Sequence, residues 1–313
     1  MTDRAIATLG LTIALSALLC AQQVPPPPAP LPPPEGAPIT PALSRLLTSH
    51  DEPVRVATGL GSLAGIVWTK VGTLFVAEVT QSIIIEWSPI AGPHPLRGTS
   101  GGALGLALDG AGRVLAAERT ARRVTRSDLI NGTMTILDRV GGAPLGGPIG
   151  VAITPDNTLY VSDVNAGSGR IIRVDPAGVA TVIATDLVQP TGLAVSANGN
   201  TLFVSDSARA ELRAYALSQK ESAAPGRRLA SITPWKSGVS GRPAGLALDK
   251  DGRIYLAGPG GIWVMDQNGG RLGVIATSET PTACTFGDPD GKTLYFTAQG
   301  SIYKVRLKVS GQR

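Results

Sequence analysis

Short apolar runs alternate with polar turns along most of the chain, in a unit that recurs several times. The clearest copy spans residues 190–206 and consists of a Pro, a Gly, an apolar run, a polar turn, a second apolar run and an acid. Asn-Gly, Asp-Gly and Pro-Asp turns between apolar runs favour β-hairpins. Each unit therefore predicts two antiparallel strands joined by a tight turn.

Related units are centred on glycines that lie 40, 45, 42 and 53 residues apart, namely Gly65, Gly105, Gly150, Gly192 and Gly245. A weaker sixth copy begins at Ala283, 38 residues after the fifth. Further apolar stretches after each unit predict a third and a fourth strand. Four strands per unit at this spacing are typical of a propeller blade, and one blade cannot bury both of its faces alone. The sequence predicts an all-β, six-bladed β-propeller of four-stranded antiparallel blades.

Residues 53–57 alternate between apolar and polar side chains just before the first unit. Propellers usually close by pairing a strand from one end of the chain with the blade made by the other end. We therefore expect residues 53–57 to pair beside residues 301–308, within a propeller that spans residues 46–310. The longest excursion between units, residues 217–238, predicts either an elongated outer hairpin or a lid.

The N-terminal region differs from the repeated units. Residues 5–19 form an apolar run that is too short for a comfortable membrane span, so residues 1–21 are interpreted as a signal peptide. This predicts export to the periplasm or the extracellular space, with no transmembrane segment in the mature chain. Lipidation of Cys20 would instead anchor the chain to a membrane. Residues 22–45 are rich in proline and predict an extended linker.

Composition narrows the classes of function. The 313 residues carry a net charge of +5 and have a sequence pI near 9.4, but the basic residues are scattered and no basic run is interleaved with aromatics. This argues against a nucleic-acid partner. If Cys20 leaves with the signal peptide, only Cys284 remains, in the predicted first strand of the sixth blade, where a buried core residue is expected. The two histidines, His50 and His94, lie outside the predicted strands.

The residue before each repeat glycine is expected to line the axial funnel, where propellers bind ligands. Around the ring this row consists of Ala64, Leu104, Ile149, Thr191, Ala244 and Ala283. The row contains no carboxylate, Asn or His, and a metal or acid–base centre needs several such groups at one point. The row therefore predicts a ligand-binding funnel that has no metal site.

Four acids occupy the same place at the end of the second strand of a unit: Glu78, Glu118, Asp163 and Asp206. An acid at a strand end can accept hydrogen bonds from the backbone N–H groups of the next turn, so we expect a structural role for this set. A rearranged site would have to draw on polar groups nearby. Its possible contributors are Glu118, Asp163, Asn165, Asp206 and Arg209.

The order of several segments resembles a known superfamily. Residues 112–118 with 122–126, residues 242–249 and residues 290–297 resemble the senescence-marker-protein/gluconolactonase/LRE-like (SMP-30, regucalcin-like) six-bladed propellers, over residues 58–308. Propellers of the NHL type share part of the pattern and are the alternative. The resemblance implies hydrolysis of lactones or related esters, with one divalent cation such as calcium or zinc held by a Glu, an Asn and an Asp.

The resemblance also implies where those ligands would be. The family Glu corresponds to Ala64, the Asn to Thr191 and the Asp to Ala244, while a substrate-facing Asn corresponds to Leu104. A Ser-Pro-Asn-Asp segment of the gluconolactonase branch corresponds to residues 147–150. The implied metal ligands are therefore missing, and we expect no cofactor.

Three hypotheses follow. The first is an exported, non-catalytic module, in effect a pseudoenzyme, that binds a small molecule, a sugar or a protein at the funnel or its rim. The second is a hydrolase of lactones or related esters with a rearranged site. The third is an envelope-associated scaffold. The sequence leaves catalysis, the ligand and the oligomeric state open.

Overall fold

The structure is a computed structural model that describes residues 37–48, 52–128, 132–217 and 225–312. Six four-stranded antiparallel sheets are arranged as the blades of a propeller, which confirms the predicted fold class. The predicted signal peptide and residues 22–36 of the predicted linker lie outside the described residues, so both stay predictions. Within the described residues, no helix is long and apolar enough to cross a membrane.

The first half of the chain contains blades 1 to 3. The elements before blade 1 are α1 (Pro41–Leu46) and β1 (Val54–Ala57). Blade 1 contains β2 (Leu63–Trp68), β3 (Leu74–Glu78), β4 (Ile83–Ser88) and β5 (Gly92–Arg97). Blade 2 contains β6 (Ala103–Leu108), β7 (Val114–Glu118), β8 (Arg123–Asp128) and β9 (Gly132–Leu137). A small hairpin follows, made of β10 (Arg139–Val140) and β11 (Ala143–Pro144). Blade 3 contains β12 (Pro148–Ile153), β13 (Leu159–Asn165), β14 (Ser168–Val174) and β15 (Ala180–Leu187).

The second half completes the ring. Blade 4 contains β16 (Pro190–Val195), β17 (Thr201–Asp206), β18 (Glu211–Ala216) and β19 (Arg227–Ser231). Blade 5 contains β20 (Leu246–Leu248), β21 (Ile254–Gly258), β22 (Gly261–Met265) and β23 (Arg271–Ala276). Blade 6 contains β24 (Pro281–Gly287), β25 (Thr293–Ala298) and β26 (Ser301–Arg306). The first strand of each blade contacts the first strand of the next, and β24 contacts β2, so these six strands surround the axis.

The ring closes as the sequence predicts. β1 is the outermost strand of blade 6 and pairs antiparallel with β26, with Val54 opposite Lys304 and Arg55 opposite Tyr303. Blade 6 is therefore built from both ends of the propeller. This pairing fastens the ring because neither end can leave without breaking a ladder of backbone hydrogen bonds.

Glycines on the innermost strands let neighbouring blades approach closely. A Cβ atom built on Gly150 would lie 2.0 Å from the carbonyl oxygen of Thr191 in blade 4. A Cβ atom on Gly192 would lie 2.3 Å from the carbonyl oxygen of Ala244 in blade 5. Any side chain at these positions would push two blades apart. The repeated glycine of the sequence pattern is thus a packing requirement around the axis.

The hydrophobic core lies between the blades rather than inside one of them. In one cluster, Leu115 and Val124 of blade 2 pack with Val161 and Ile172 of blade 3, and all four are buried. Each such side chain contributes about 1.5–3 kcal/mol through removal from water. Because aromatics are few, this packing relies on Val, Ile, Leu and Ala, as composition suggests.

The end of the predicted linker belongs to the folded unit. Thr40 caps α1, and Leu43 on that helix is fully buried against blades 5 and 6. Ile39 forms a bridge with Gly273 on the outermost strand of blade 5, and the amide of Val274 donates to the carbonyl of Pro38. Residues 38–45 of the predicted linker therefore bury apolar surface and form hydrogen bonds with the outermost strand of blade 5.

The excursion at residues 217–238 is in part an elongated outer hairpin, because β19 pairs with β18 as the fourth strand of blade 4. Residues 218–224 of that hairpin lie outside the described residues. The chain that follows β19 then crosses the face of the propeller at which the innermost strands begin. We call the axial opening on this face the axial mouth.

Candidate functional site at the axial mouth

Most residues before the repeat glycines lie on the innermost strands beside the axis, and Ala244 lies two residues before its strand. Ala64, Leu104, Thr191 and Ala244 are partly exposed, although the residues that directly precede them in the chain are buried. Ile149 is 8% exposed. Because neighbouring blades cover both faces of each sheet, exposure on an innermost strand means exposure to the axial opening. The mouth is therefore lined mainly by apolar side chains.

The register of blade 6 corrects one position of the predicted row. Pro281 pairs with Ala298 and Ala283 with Thr297, in the same way that Pro190 pairs with Asp206 in blade 4. The residue equivalent to Thr191 is therefore Thr282, whereas Ala283 stands at the glycine position. A Cβ atom on Gly245 would lie 2.7 Å from the Cβ atom of Ala283, as this equivalence requires. The sixth copy lacks the glycine, and this shifted its alignment by one residue.

The two threonines of the mouth already have hydrogen-bond partners. Thr191 Oγ1 lies 2.7 Å from Ser205 Oγ and 3.3 Å from the carbonyl oxygen of Pro243 in the next blade. Thr282 Oγ1 lies 2.7 Å from Thr297 Oγ1 and 3.0 Å from the carbonyl oxygen of Leu63. Both hydroxyls therefore join neighbouring blades.

Hydroxyls on the second strands form a further set that sequence reasoning missed. Ser162 Oγ donates to the carbonyl of Thr191 at 3.0 Å, and Ser205 Oγ donates to the carbonyl of Ala244 at 2.6 Å. Thr297 Oγ1 donates to the carbonyl of Ala64 at 2.8 Å. The sequence feature that could have indicated this set is a Ser directly before the acid in units 3 and 4. These hydroxyls bind the carbonyls that surround the mouth and so fix the spacing of the blades.

Two of the four repeated acids are held by backbone amides. Asp206 is fully buried, and its carboxylate accepts hydrogen bonds from the amides of Val188, Gln189, Ala208 and Arg209, at 2.8 to 3.2 Å. The carboxylate of Glu78, which is 1% exposed, accepts from the amides of Ser62, Thr80 and Gln81, at 2.7 to 3.2 Å. Each of these acids joins the loop before the innermost strand to the turn after the second strand. These bonds are the strand-end role that the sequence predicts for the set.

The other two acids use arginines as well. Glu118 is fully buried and accepts hydrogen bonds from Arg97, Arg123 and the hydroxyl of Thr125. Asp163 is also fully buried and accepts from Arg170 and from the amides of Gly146 and Gly147, at 2.8 to 3.0 Å. In all four acids both carboxylate oxygens are already bound. These bonds give each of the four buried carboxylates a structural role at the end of its strand.

The two remaining predicted contributors are Asn165, at a hairpin end, and Arg209, which is bound to a neighbouring blade. Asn165 is exposed at the end of β13, opposite Ser168. The guanidinium of Arg209 donates to the carbonyl of Asp186 at 2.6 Å, and Asp186 belongs to β15, the outermost strand of blade 3. Arg209 therefore extends away from the axis.

Ala64, Thr191 and Ala244 occupy the positions at which the resemblance implies metal ligands, and they do not fit a divalent cation. The two alanines have no donor side chain, and the hydroxyl of Thr191 is engaged by Ser205. Calcium requires six to eight oxygen ligands, most of them from carboxylates, carbonyls or water. Among the described residues, no three His, Cys, Asp or Glu side chains lie close enough together to hold a metal ion.

Cys284 lies in the core, as expected. Its thiol is buried and donates to the carbonyl of Tyr255 at 3.2 Å. Burial raises the pKa of this thiol to about 12. Because the thiolate is the reactive form of cysteine, this residue is chemically inert in the folded protein.

Comparisons with known proteins agree with the fold. The family model described as the SMP-30/gluconolactonase/LRE-like region matches residues 64–300. The gluconolactonase of Zymomonas mobilis is 25% identical over 290 residues, which cover 82% of this chain and 81% of that protein. A 6-deoxy-6-sulfogluconolactonase of Pseudomonas putida is 32% identical over 161 residues, covering 46% of this chain and 54% of that protein. The solved structure of a Xanthomonas campestris gluconolactonase has a TM-score of 0.79 at 24% identity and covers 91% of this chain and 99% of that chain.

Proposed function

Because the chain belongs to the SMP-30/gluconolactonase/LRE-like family, we propose that it uses the propeller of that family to bind a small molecule without metal-dependent hydrolysis. One observation carries this proposal. The axial positions supply no carboxylate side chain, and the buried carboxylates at the ends of the second strands are already bound by backbone amides and arginines. A general base or a metal ligand at the axis would require a carboxylate or a similar group that is free to face a substrate or a cation.

The second candidate is a hydrolase of lactones or related esters. The family and the lactonase names of the relatives favour it, because proteins of one family often keep one class of reaction. In this chain such an enzyme would need polar groups other than those at the axis. Fold alone does not decide between the two functions, since function depends on the residues of the site.

A direct experiment compares the wild-type protein with a variant in which the implied ligands are introduced. The variant is the triple substitution Ala64→Glu, Thr191→Asn and Ala244→Asp. Both proteins are dialysed against calcium or zinc, their bound metal is measured, and hydrolysis of glucono-1,5-lactone is followed with and without EDTA. Circular dichroism spectra of the two proteins are compared, so that a misfolded variant is recognised.

We expect no stoichiometric metal and no EDTA-sensitive lactone hydrolysis in the wild type. We expect the triple variant to bind about one equivalent of metal if the three positions converge at the axis as their strands suggest. One tightly bound equivalent in the wild type, together with EDTA-sensitive turnover, would overturn the proposal in favour of the hydrolase.

A further inference from the structure

A depression lies beside the axial mouth, on the rim between blades 5 and 6. Its volume is about 280 Å³, close to the lower end of the range for small-molecule sites. One wall is formed by residues 236–240, which follow the fourth strand of blade 4. The opposite wall is formed by residues 277–280, which lead into the innermost strand of blade 6, and Gly260 lies between the two walls.

The backbone around this depression is held in place from both sides. The amide of Gly260 donates to the carbonyl of Ser240 at 3.3 Å, and the amide of Thr277 donates to the carbonyl of Gly260 at 3.0 Å. Gly260 has a φ of +68°, and a Cβ atom there would lie 2.3 Å from the ring of Trp235. Glycine is therefore required at this position, and hydrogen bonds from both walls hold its backbone in place.

Trp235 anchors the wall that carries the charged residue. Its ring packs against Trp263 of blade 5, with ring centroids 6.4 Å apart. Lys236 follows directly in the chain and is exposed at the depression. The wall is thus fixed by aromatic packing at one end and by the hydrogen bond from Gly260 at the other.

The charges of the depression do not balance. Among the described residues, no carboxylate lies within ion-pair distance of Lys236, whereas Glu279 is paired with Arg55 at 3.1 Å. The hydroxyl of Ser301 also donates to Glu279, which neutralises this acid further. The net charge offered to a ligand is therefore positive.

Hydroxyls supply most of the other polar groups. Ser237, Ser240, Ser278 and Thr280 all border the depression. Such side chains both donate and accept hydrogen bonds, and they match the hydroxyl groups of a sugar. An ammonium group favours a carboxylate, with which it forms a charge-assisted hydrogen bond.

We propose that this rim depression binds a small polyhydroxylated carboxylate, that is, a sugar acid, with Lys236 bound to the carboxylate and the serines and threonines bound to the hydroxyls. The inference rests on the proposed binding function and gives it a site and a ligand class. It moves the binding site from the apolar axial mouth to the rim.

Gluconate is the probe, titrated into EDTA-treated full-length protein by calorimetry or by ligand-detected NMR. Lys236→Gln removes the charge, and Ser240→Trp fills the depression without changing the charge. Lys250→Gln is the matched control, because this exposed lysine lies in a hairpin turn of blade 5 away from the depression. Glucose and acetate test the hydroxyls and the carboxylate separately.

We expect gluconate to bind, and Lys236→Gln to weaken its affinity about tenfold or more, since a hydrogen bond to a charged group is lost. Ser240→Trp should abolish binding, whereas Lys250→Gln should leave it unchanged. Glucose and acetate should each bind much more weakly than gluconate.

The proposal is overturned if gluconate does not bind, if glucose binds equally well, or if Lys236→Gln or Ser240→Trp leaves gluconate binding unchanged. These outcomes concern the rim site alone. Failure of the proposed non-catalytic function would instead appear as metal-dependent lactone turnover, which is measured in the separate assay.

Discussion

Asp206→Asn offers a sharp test of the structural role of the repeated acids. In the wild type, one carboxylate oxygen accepts from the amide of Val188, and the other accepts from the amides of Gln189, Ala208 and Arg209. An asparagine keeps one accepting oxygen but places an NH₂ group where the second oxygen was. At least one backbone N–H group then faces another donor in a buried site.

The size of the effect follows from these bonds. A hydrogen bond to a charged group contributes about 1.5–3 kcal/mol, and a buried donor without an acceptor costs a further amount of similar size, so the substitution should lower the free energy of unfolding by about 2–4 kcal/mol. For a domain of this size the melting temperature should fall by at least about 4 °C. Asp206→Ala should be more destabilising, because it leaves all four amides without the carboxylate.

Urea denaturation at neutral pH, with the slope m compared between variants, measures this loss. Asp138→Asn is the matched control, since that aspartate is exposed and its side chain makes no hydrogen bond to any described residue. An unchanged midpoint for Asp206→Asn would refute the structural role. Loss of ligand binding at unchanged stability would assign Asp206 to the site instead.

Two further predictions concern packing. Gly150→Ala should destabilise the protein by about 1–3 kcal/mol or more, because the added methyl group meets the carbonyl of Thr191 in the next blade. Gly98→Ala is the control and should be neutral, because a Cβ atom there has open space around it. Equal denaturation midpoints for the two variants would contradict the packing argument. Cys284 should resist alkylation in the native protein at pH 8 and react only on unfolding, because burial raises its pKa to about 12. Peptide mass spectrometry measures the extent of alkylation. Rapid labelling of the native protein would show that the thiol is accessible.

The architecture could be predicted from local pattern because a propeller repeats one local structure. Alternating apolar residues and Gly-containing turns define each hairpin within about 15 residues, so no long-range information is needed to recognise it. Closure by β1 was also predictable, since residues 53–57 were an unpaired strand beside an incomplete last blade. The family resemblance, read from motifs in order, is confirmed by the match over residues 64–300.

The candidate site was harder to predict for a physical reason. Its residues come from different blades, and the sixth copy has Ala283 where the others have glycine, so that a one-residue shift concealed Thr282. No local pattern in the sequence indicated the rim depression. Lys236 and Glu279 lie 43 positions apart in the chain, and their segments meet through the packing of Trp235 against blade 5 and through the hydrogen bonds of Gly260.

The sequence alone therefore determined the strands, the number of blades and the absence of carboxylates from the axial row, because these depend on side-chain type and on spacing along the chain. The tertiary structure alone decided which of the acidic side chains are held by other parts of the protein, and by which donors. Glu118 and Asp206 look similar in the sequence, yet one is bound by arginines and the other by backbone amides. Those partners are set by how loops meet around the axis, since a buried acid takes its hydrogen bonds from whatever donors the neighbouring chain places within reach.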